Sequence, residues 1–383
     1  MYRAIAPRRK SKMQTILNTE SDLKDLDEYL AKAHAKKLLL VCDHSIHFLR
    51  LDEYFADLEK RKGIQVIRFE DFESNPAYES VVRGEKVLRE SGCDMIAAVG
   101  GGSAIDVAKC IKLYKNSDSS INYLTQAVVP CDMPLLAVPT TAGTGSEATR
   151  YAVIYYGGEK QSITHESCIP TAVLFEPQVL RTLPEYQKKS TMLDALCHAL
   201  ESVWSVNSTP QSKQFSAQAI KLILENMQSY LCGDENTYPI MLKAANLAGK
   251  AINITQTTAG HAMCYKLTSL YGIAHGHAAA LCVKSLFPYM IANTDKCIDP
   301  RGEGFLKNSF AEIANAMGCK TPQAAAERFA QIVDYLALEV PKTNGESDID
   351  ILKTSVNPDR LKNNPVKLDV PTIEKLYKQI LGE

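Results

Sequence analysis

The 383-residue sequence predicts a doubly wound α/β half followed by an all-helical half. Three observations carry the prediction. Short β-branched runs alternate with amphipathic stretches in the first half, strand-like runs end near Pro184, and glycine-rich turns follow two of the strands. A chain this long exceeds what one core usually organises. The expected domains are therefore residues 1–184 and 185–383.

The N-terminal stretch MYRAIAPRRKSKMQTIL is basic but lacks the apolar core of a signal peptide, and no run in the chain is long and apolar enough to span a bilayer. Residues 1–12 read as an appended or frayed tail, with Met13 a candidate start. KLLLVCD (37–43), IQVIRFE (64–70), MIAAVG (95–100), PLLAVPT (134–140) and TAVLFE (171–176) are apolar runs of strand length. Between them, residues 47–61, 78–91 and 103–115 place apolar side chains at helical spacing. YAVIYY (151–156) and the following SITHE flank Gly157-Gly158, a hairpin signal. Beyond Pro184, residues 188–206, 210–231 and 239–256 carry long helical patterns. The chain closes with a Pro/Asn-rich loop and one terminal helix in PDRLKNNPVKLDVPTIEKLYKQIL, and it contains no repeat.

Hydrophobic residues make up 45% of the chain and charged residues 23%, enough to bury a substantial core, and a net charge of -1 gives no broad basic footprint for nucleic acid or an anionic membrane. A small-molecule substrate is expected. The eleven cysteines are scattered without a CxxC pair and read as reduced thiols of a cytoplasmic protein.

MIAAVG runs directly into Gly100-Gly101-Gly102-Ser103 and then a helical pattern. Glycines allow close approach of a diphosphate, and a helix N-terminus offers it free N–H groups. Ile105 occupies the place of the third glycine in a full dinucleotide fingerprint, so a simple tight turn stays open beside the phosphate role. A second loop, Pro139 to Glu147, follows another strand with hydroxyls and glycines suited to ribose, phosphate or carboxamide groups. Asp43, closing the 37–43 strand, could accept from a ribose diol and repel a 2′-phosphate, favouring NAD(H) over NADP(H). Capping a helix is the other reading of that residue.

Asp194-x-x-x-His198 lies in the helical pattern TMLDALCHALESVW, so a carboxylate and an imidazole share one face. His261 and His275 follow in AGHAMCYKLTSLYGIAHGHAA, with Gly272 expected to break the helix between them. Three imidazoles and a carboxylate suit a borderline divalent ion such as Fe²⁺ or Zn²⁺. A lone DxxxH is usually a surface or capping arrangement; the second histidine cluster is what favours a metal. His44, His47 and His165 read as structural or solvated.

In order along the chain, GGGSAIDVAK, PTTAGTGSE, LDALCHALES, HAMCYKLTSLYGIAHGHA and the terminal RLKNNP stretch resemble the signature regions of the iron-dependent (group III) alcohol dehydrogenases. The resemblance spans nearly the whole chain. It implies the dehydroquinate synthase-like fold of that family, an α/β N-terminal dinucleotide-binding domain plus an all-α C-terminal metal-binding domain. It further implies that Asp194, His198, His261 and His275 ligate Fe²⁺, with Zn²⁺ as the alternative ion. Asp43, Asn75, Gly101, Gly102, Ser103, Thr140, Thr141, Thr144, Lys160 and Leu180 are implied to hold the nicotinamide nucleotide. A cytoplasmic homodimer is expected.

This chain departs from the pattern where many members carry a second histidine four residues after the third ligand. Here Tyr265 and Lys266 stand instead, which puts the usual proton shuttle in doubt. Tyr265 and His277 are the candidate proton donors, with packing the alternative for each. Arg150 corresponds to a pocket position in relatives, and Lys266 lies on the third ligand's helix. Together they point to an anionic substrate, with surface salt bridging the competing reading. HAMCYKLTSLYGIAHGHA resembles the phosphonoacetaldehyde reductase subgroup. The expected reaction is NAD(H)-linked reduction of a small aldehyde to a primary alcohol. A general short-chain alcohol or diol dehydrogenase is the alternative, and a dehydroquinate synthase-like lyase would need more basic residues than Arg150 and Lys266. A non-enzymatic binding role is disfavoured by the intact ligand and glycine-loop positions.

Overall fold

Strand runs without a polar face are satisfied only in a sheet covered on both sides. The computed structural model, which describes residues 14–18 and 22–383, builds such a sheet. The expectations for residues 1–12 and Met13 lie outside the described residues. Strands β1 (Thr15–Asn18), β2 (Lys37–Cys42), β3 (Gln65–Phe69), β4 (Met95–Gly100) and β5 (Leu135–Pro139) precede a hairpin of β6 (Tyr151–Tyr156) and β7 (Glu159–Thr164), and β8 (Ala172–Phe175) follows. Among the described residues the main sheet has the order β1-β8-β5-β4-β2-β3, and every pairing in it is parallel. Leu38, Leu39, Leu40, Ile96, Ala97, Leu135 and Leu136 are all fully buried, as strands covered on both faces require. Helices Tyr78–Ser91 and Gly102–Tyr114 supply Val81, Leu88, Val107 and Ile111 to the core on one side.

Two departures from the sequence expectation follow from contacts made only in the folded chain. β1 is a four-residue edge strand whose TILN alternates too briefly to register as a pattern; parallel pairing with β8 defines it. The helical run expected over 47–61 breaks into a 3-10 turn (His44–Phe48) and helices Arg50–Ala56 and Leu58–Lys62. Leu49 takes an extended backbone at the first break. Asp52, in the first turn of the next helix, is held by His47 of the preceding turn and by Arg68 of β3, contacts that accompany the break.

The chain divides into two compact units. The first holds the described residues up to Pro139 together with Arg150–Glu176; the second holds Thr140–Thr149 together with Pro177–Glu383. The second unit is helical: Glu185–Trp204, Pro210–Leu231, Tyr238–Thr255, Ala259–Tyr271 and His275–Ala292 lead, and Val370–Leu381 closes it. Its 140–149 segment lies against the Tyr238–Thr255 helix, where the backbones of Gly145 and Gly249 touch. A Cβ on Gly249 would stand 2.4 Å from the Gly145 carbonyl oxygen, so only glycine fits there. Buried Glu147 accepts from the Asn246 amide at 3.0 Å and fixes the same contact. The Pro/Asn-rich stretch before the terminal helix contains a short helix, Pro358–Leu361. No helix of the described residues is long and apolar enough to cross a membrane.

Candidate functional site

The Glu185–Trp204 helix carries Asp194, His198 and Glu201 at i, i+4 and i+7, one buried face of an α-helix. His261 sits in the first turn of the Ala259–Tyr271 helix. That helix ends at left-handed Gly272, and His275 opens the next one. Ligand atoms of Asp194, His261 and His275 all lie within 4.8 Å of one another. His261 Nε2 is 3.3 Å from Asp194 Oδ1, and His198 Nε2 is 3.9 Å from the same oxygen. The His198 and His261 rings stack at 4.3 Å. Three helices of one unit thus draw these four side chains together.

Glu201 stands behind the cluster. Its fully buried carboxylate receives the His261 Nδ1–H, the His261 backbone N–H at 3.1 Å and the Thr258 hydroxyl at 2.8 Å. Trp204 Nε1–H in turn donates to Thr258. This network takes up the His261 Nδ1–H and aims Nε2 at Asp194, as carboxylates behind metal-ligating histidines do, so that a bound ion would take the place of the Nε2 proton. Sequence reading did not single out Glu201. Its signal was available in the i+7 spacing from Asp194.

Burial opposes ionisation of Asp194, yet the facing imidazoles of His198, His261 and His275 hold its carboxyl well below the usual carboxylate range. Burial likewise disfavours a charged His261, but Glu201 and Asp194 on either side push it up to about 9. His198 goes the other way, held down to about 4 chiefly by burial, with Asp194 opposing. Two buried carboxylates among imidazoles form a site with excess negative charge, which a cation would balance. Two donors bound to one such ion at about 2.0–2.2 Å lie at most about 4.4 Å apart, close to the observed spread. The residues therefore fit a borderline divalent ion.

Gly276 permits the approach of two of these helices. A Cβ there would lie 2.1 Å from the Ser190 carbonyl oxygen and 2.7 Å from Asp194 Cβ, so any larger residue would drive the His275 helix away from Asp194.

The remaining predicted residues of this unit take distinct places. Tyr265 stacks on His275, with centroids 5.5 Å apart and planes 14° apart. Burial pushes its hydroxyl well above the usual tyrosine range. His277 turns to the Glu185–Trp204 helix: its Nδ1 meets the Tyr186 hydroxyl at 3.1 Å, and its backbone N–H donates to Ser190. Tyr186 already accepts the Ala274 N–H, so its own proton goes to His277 Nδ1 and the histidine proton goes to Nε2. That Nε2 is buried without a partner among the described residues. Lys266 is half-buried and forms no ion pair among the described residues. A cation that sequence reading passed over does reach the cluster: Arg360 lies 5.2 Å over the Tyr265 ring and donates to its hydroxyl at 3.3 Å. Thr140 and Leu180 are buried in this unit, Thr141 is half-buried, and Thr144 Oγ1 accepts from the Ser146 N–H.

The first unit holds the other predicted residues. In the sheet the chain passes outward from β2 to β3 and then returns to β4 on the far side of β2, a topological switch point of the kind where open α/β sheets bind ligands. Asp43 follows β2 and Gly100 ends β4. A Cβ on Gly100 would stand 2.9 Å from Asp43 Oδ2, so the glycine lets the carboxylate approach the turn. Asp43 Oδ1 caps the 3-10 turn by accepting from the Ser45 N–H, so that role is present and Oδ2 is the oxygen toward Gly100. Gly101 precedes the Gly102–Tyr114 helix as its extended cap, with half-buried Ser103 in the first turn. This cradle fits a diphosphate at a helix N-terminus. Asn75 is exposed with φ of 58°, and Lys160 is half-buried in β7. Arg150 pairs with Glu166 at 3.0 Å and lies 5.4 Å over the Tyr151 ring, so its cation is already engaged.

A family model described as iron-containing alcohol dehydrogenase matches residues 14–177. One for the C-terminal part of the Fe-containing alcohol dehydrogenase family matches residues 188–381. The chain is 31% identical to a phosphonoacetaldehyde reductase of Streptomyces viridochromogenes over 80% of each chain. It is 28% identical to an NAD-dependent methanol dehydrogenase of Bacillus methanolicus over 94% of this chain and 96% of that one. Among solved structures, sulfoacetaldehyde reductase from Bifidobacterium kashiwanohense in complex with NAD+ superposes with a TM-score of 0.84 at 25% identity. That match covers 96% of this chain and 97% of the other.

Proposed function

This chain belongs to the iron-containing alcohol dehydrogenase family, and on that premise we propose that it reduces a small anionic aldehyde, of the phosphonoacetaldehyde kind, to a primary alcohol with NAD(H). The observation that carries the reading is the cluster of buried Asp194 and His261 with half-buried His275, joined by His198 3.9 Å from Asp194 and with Glu201 behind it. The anionic preference is supported by two relatives whose names specify two-carbon aldehydes bearing a phosphonate or a sulfonate. The methanol dehydrogenase relative favours a second reading, an uncharged short-chain alcohol as substrate. We place the enzyme in the cytoplasm as a homodimer.

Asp194 and the three imidazoles would hold a ferrous ion, with zinc the alternative. Asp43 and the Gly101-Gly102-Ser103 turn, together with Asn75, Thr140, Thr141, Thr144, Lys160 and Leu180, would hold the nucleotide. When bound, the ion supplies Lewis-acid polarisation of the carbonyl and the nicotinamide supplies the hydride. Glu201 keeps His261 in the tautomer whose Nε2 lone pair is available. The Asp43 carboxylate favours a free ribose diol over a 2′-phosphate. Tyr265 stands against His275 with its proton held firmly, suited to orienting a water chain that delivers the alcohol proton. His277 lies against Tyr186, a second candidate proton donor.

The test follows NADH oxidation by iron- or zinc-loaded protein with phosphonoacetaldehyde, succinic semialdehyde, lactaldehyde and butyraldehyde. One charge-assisted contact predicts a kcat/KM advantage of about tenfold or more for the anionic pair. Higher values for the uncharged pair would replace this reading with the second one.

A further inference from the structure

We propose that Arg360 is the specificity-determining residue for the anionic end of the substrate, an inference that rests on the reading of an anionic aldehyde. Arg150, one of the two cations that the sequence put forward, is paired with Glu166. Arg360 has no carboxylate within ion-pair reach among the described residues, and the one hydrogen bond of its guanidinium there is to Tyr265. A guanidinium carries five N–H donors in a planar fork that matches phosphonate, sulfonate or carboxylate oxygens. Held half-buried without a counter-ion, it has donors left for an anion.

Its position relative to the ligand cluster follows from stacking. Arg360 lies 5.2 Å over the Tyr265 ring, and Tyr265 stacks 5.5 Å from the His275 ring. Arg360 and His275 therefore both border the same tyrosine ring. The carbonyl oxygen and the anionic oxygens of a two-carbon aldehyde are about 5 Å apart when the chain is extended, a length set by four bonds of ordinary geometry. A substrate with its carbonyl toward the cluster and its chain along the Tyr265 ring would carry its anion toward Arg360.

The turn that carries Arg360 is built to stay in place. Asn363 donates through Nδ2 to Gln256 Oε1 at 2.7 Å, accepts at Oδ1 from Asn207 at 2.8 Å, and accepts at its carbonyl from the Val206 N–H. Gln256 has a φ of 60°, a left-handed conformation rare for such a residue, just before the helix that bears His261 and Tyr265. Its bond to Asn363 ties the Arg360 turn to the start of that helix. A strained residue and an asparagine clamp thus fix a cation beside the ligand cluster. Lys266 shares the Tyr265 helix, but helical geometry turns consecutive residues about 100° apart and sends it to another face.

The experiment compares wild type with Arg360→Gln, Arg360→Lys and Lys266→Met. For Arg360→Gln, the ratio of kcat/KM on phosphonoacetaldehyde to that on butyraldehyde should fall about 10- to 100-fold, mostly through KM for the anionic aldehyde. Arg360→Lys should recover part of that loss, and Lys266→Met should leave the ratio near wild type. A second readout needs no turnover: ³¹P line broadening of methylphosphonate by metal-free protein should be present in wild type and lost in Arg360→Gln. An unchanged ratio with unchanged broadening in Arg360→Gln overturns the assignment while leaving the anionic-aldehyde reading intact, as does a loss that follows Lys266. An effect confined to KM for NADH overturns it too. A wild type that prefers uncharged aldehydes sinks the functional reading instead, and broadening that still depends on Arg360 then upholds the anion site alone.

Discussion

Glu201 shows how one residue can be invisible as chemistry and still set it. It touches no predicted substrate group, yet it fixes which nitrogen of His261 carries the proton. Glu201→Gln keeps the shape and can still accept a hydrogen bond, but it removes the charge that favours Nδ1–H. Divalent-ion affinity should fall about 10- to 100-fold, as for other outer-shell partners of metal histidines. Chelator competition measures that loss, and retained circular dichroism separates it from unfolding. Unchanged affinity would mean that Glu201 is only a satisfied buried acid. Asp194 and His198 were readable as a pair because DALCHALE puts them one helical turn apart, and Glu201 extends the same face; His261 and His275 rested on a second histidine cluster and the family resemblance. Arg360 was not readable as a cation beside the cluster. It is 95 positions from Tyr265 in the chain, and no spacing rule reaches that far.

At the level of elements, helix contacts depend on residues too small to announce themselves. Gly276 lies where the His275 helix meets the Ser190 carbonyl and Asp194, so Gly276→Ala must push backbone rather than a flexible side-chain tip. Overpacking of this kind costs about 1–3 kcal/mol. Because the displaced helix carries His275, thermal stability and metal content should fall together. A melting temperature and iron content equal to wild type would refute the contact. Most elements were legible in advance: continuous apolar runs gave the five core strands, and apolar spacing gave the long helices with ends within a few residues. The short pieces were not. β1 exists through pairing with β8, and the break at Leu49 goes with the contacts that Asp52 makes to His47 and Arg68.

At the scale of the whole molecule, the chain leaves the first unit at Pro139, contributes residues 140–149 to the second, and returns at Arg150. A fragment starting at residue 177 would expose the Gly249 surface and leave Asn246 without the Glu147 carboxylate. We expect that fragment to melt less cooperatively and at lower temperature than the intact chain. Joining residues 140–149 to it through a flexible linker should restore part of the loss, and a fragment as stable without them would show that the segment contributes nothing there. The sequence by itself determined the alternation of strands and helices, the glycine turns and the identity of the cluster residues, because hydrophobic period and i, i+4 spacing are local properties of a chain. Tertiary structure alone decided which unit the 140–149 segment joins, that Glu201 backs His261, and that Arg360 lies against Tyr265. Those outcomes depend on packing and charge between residues far apart in the chain, and the energy that selects them exists only once the chain is folded.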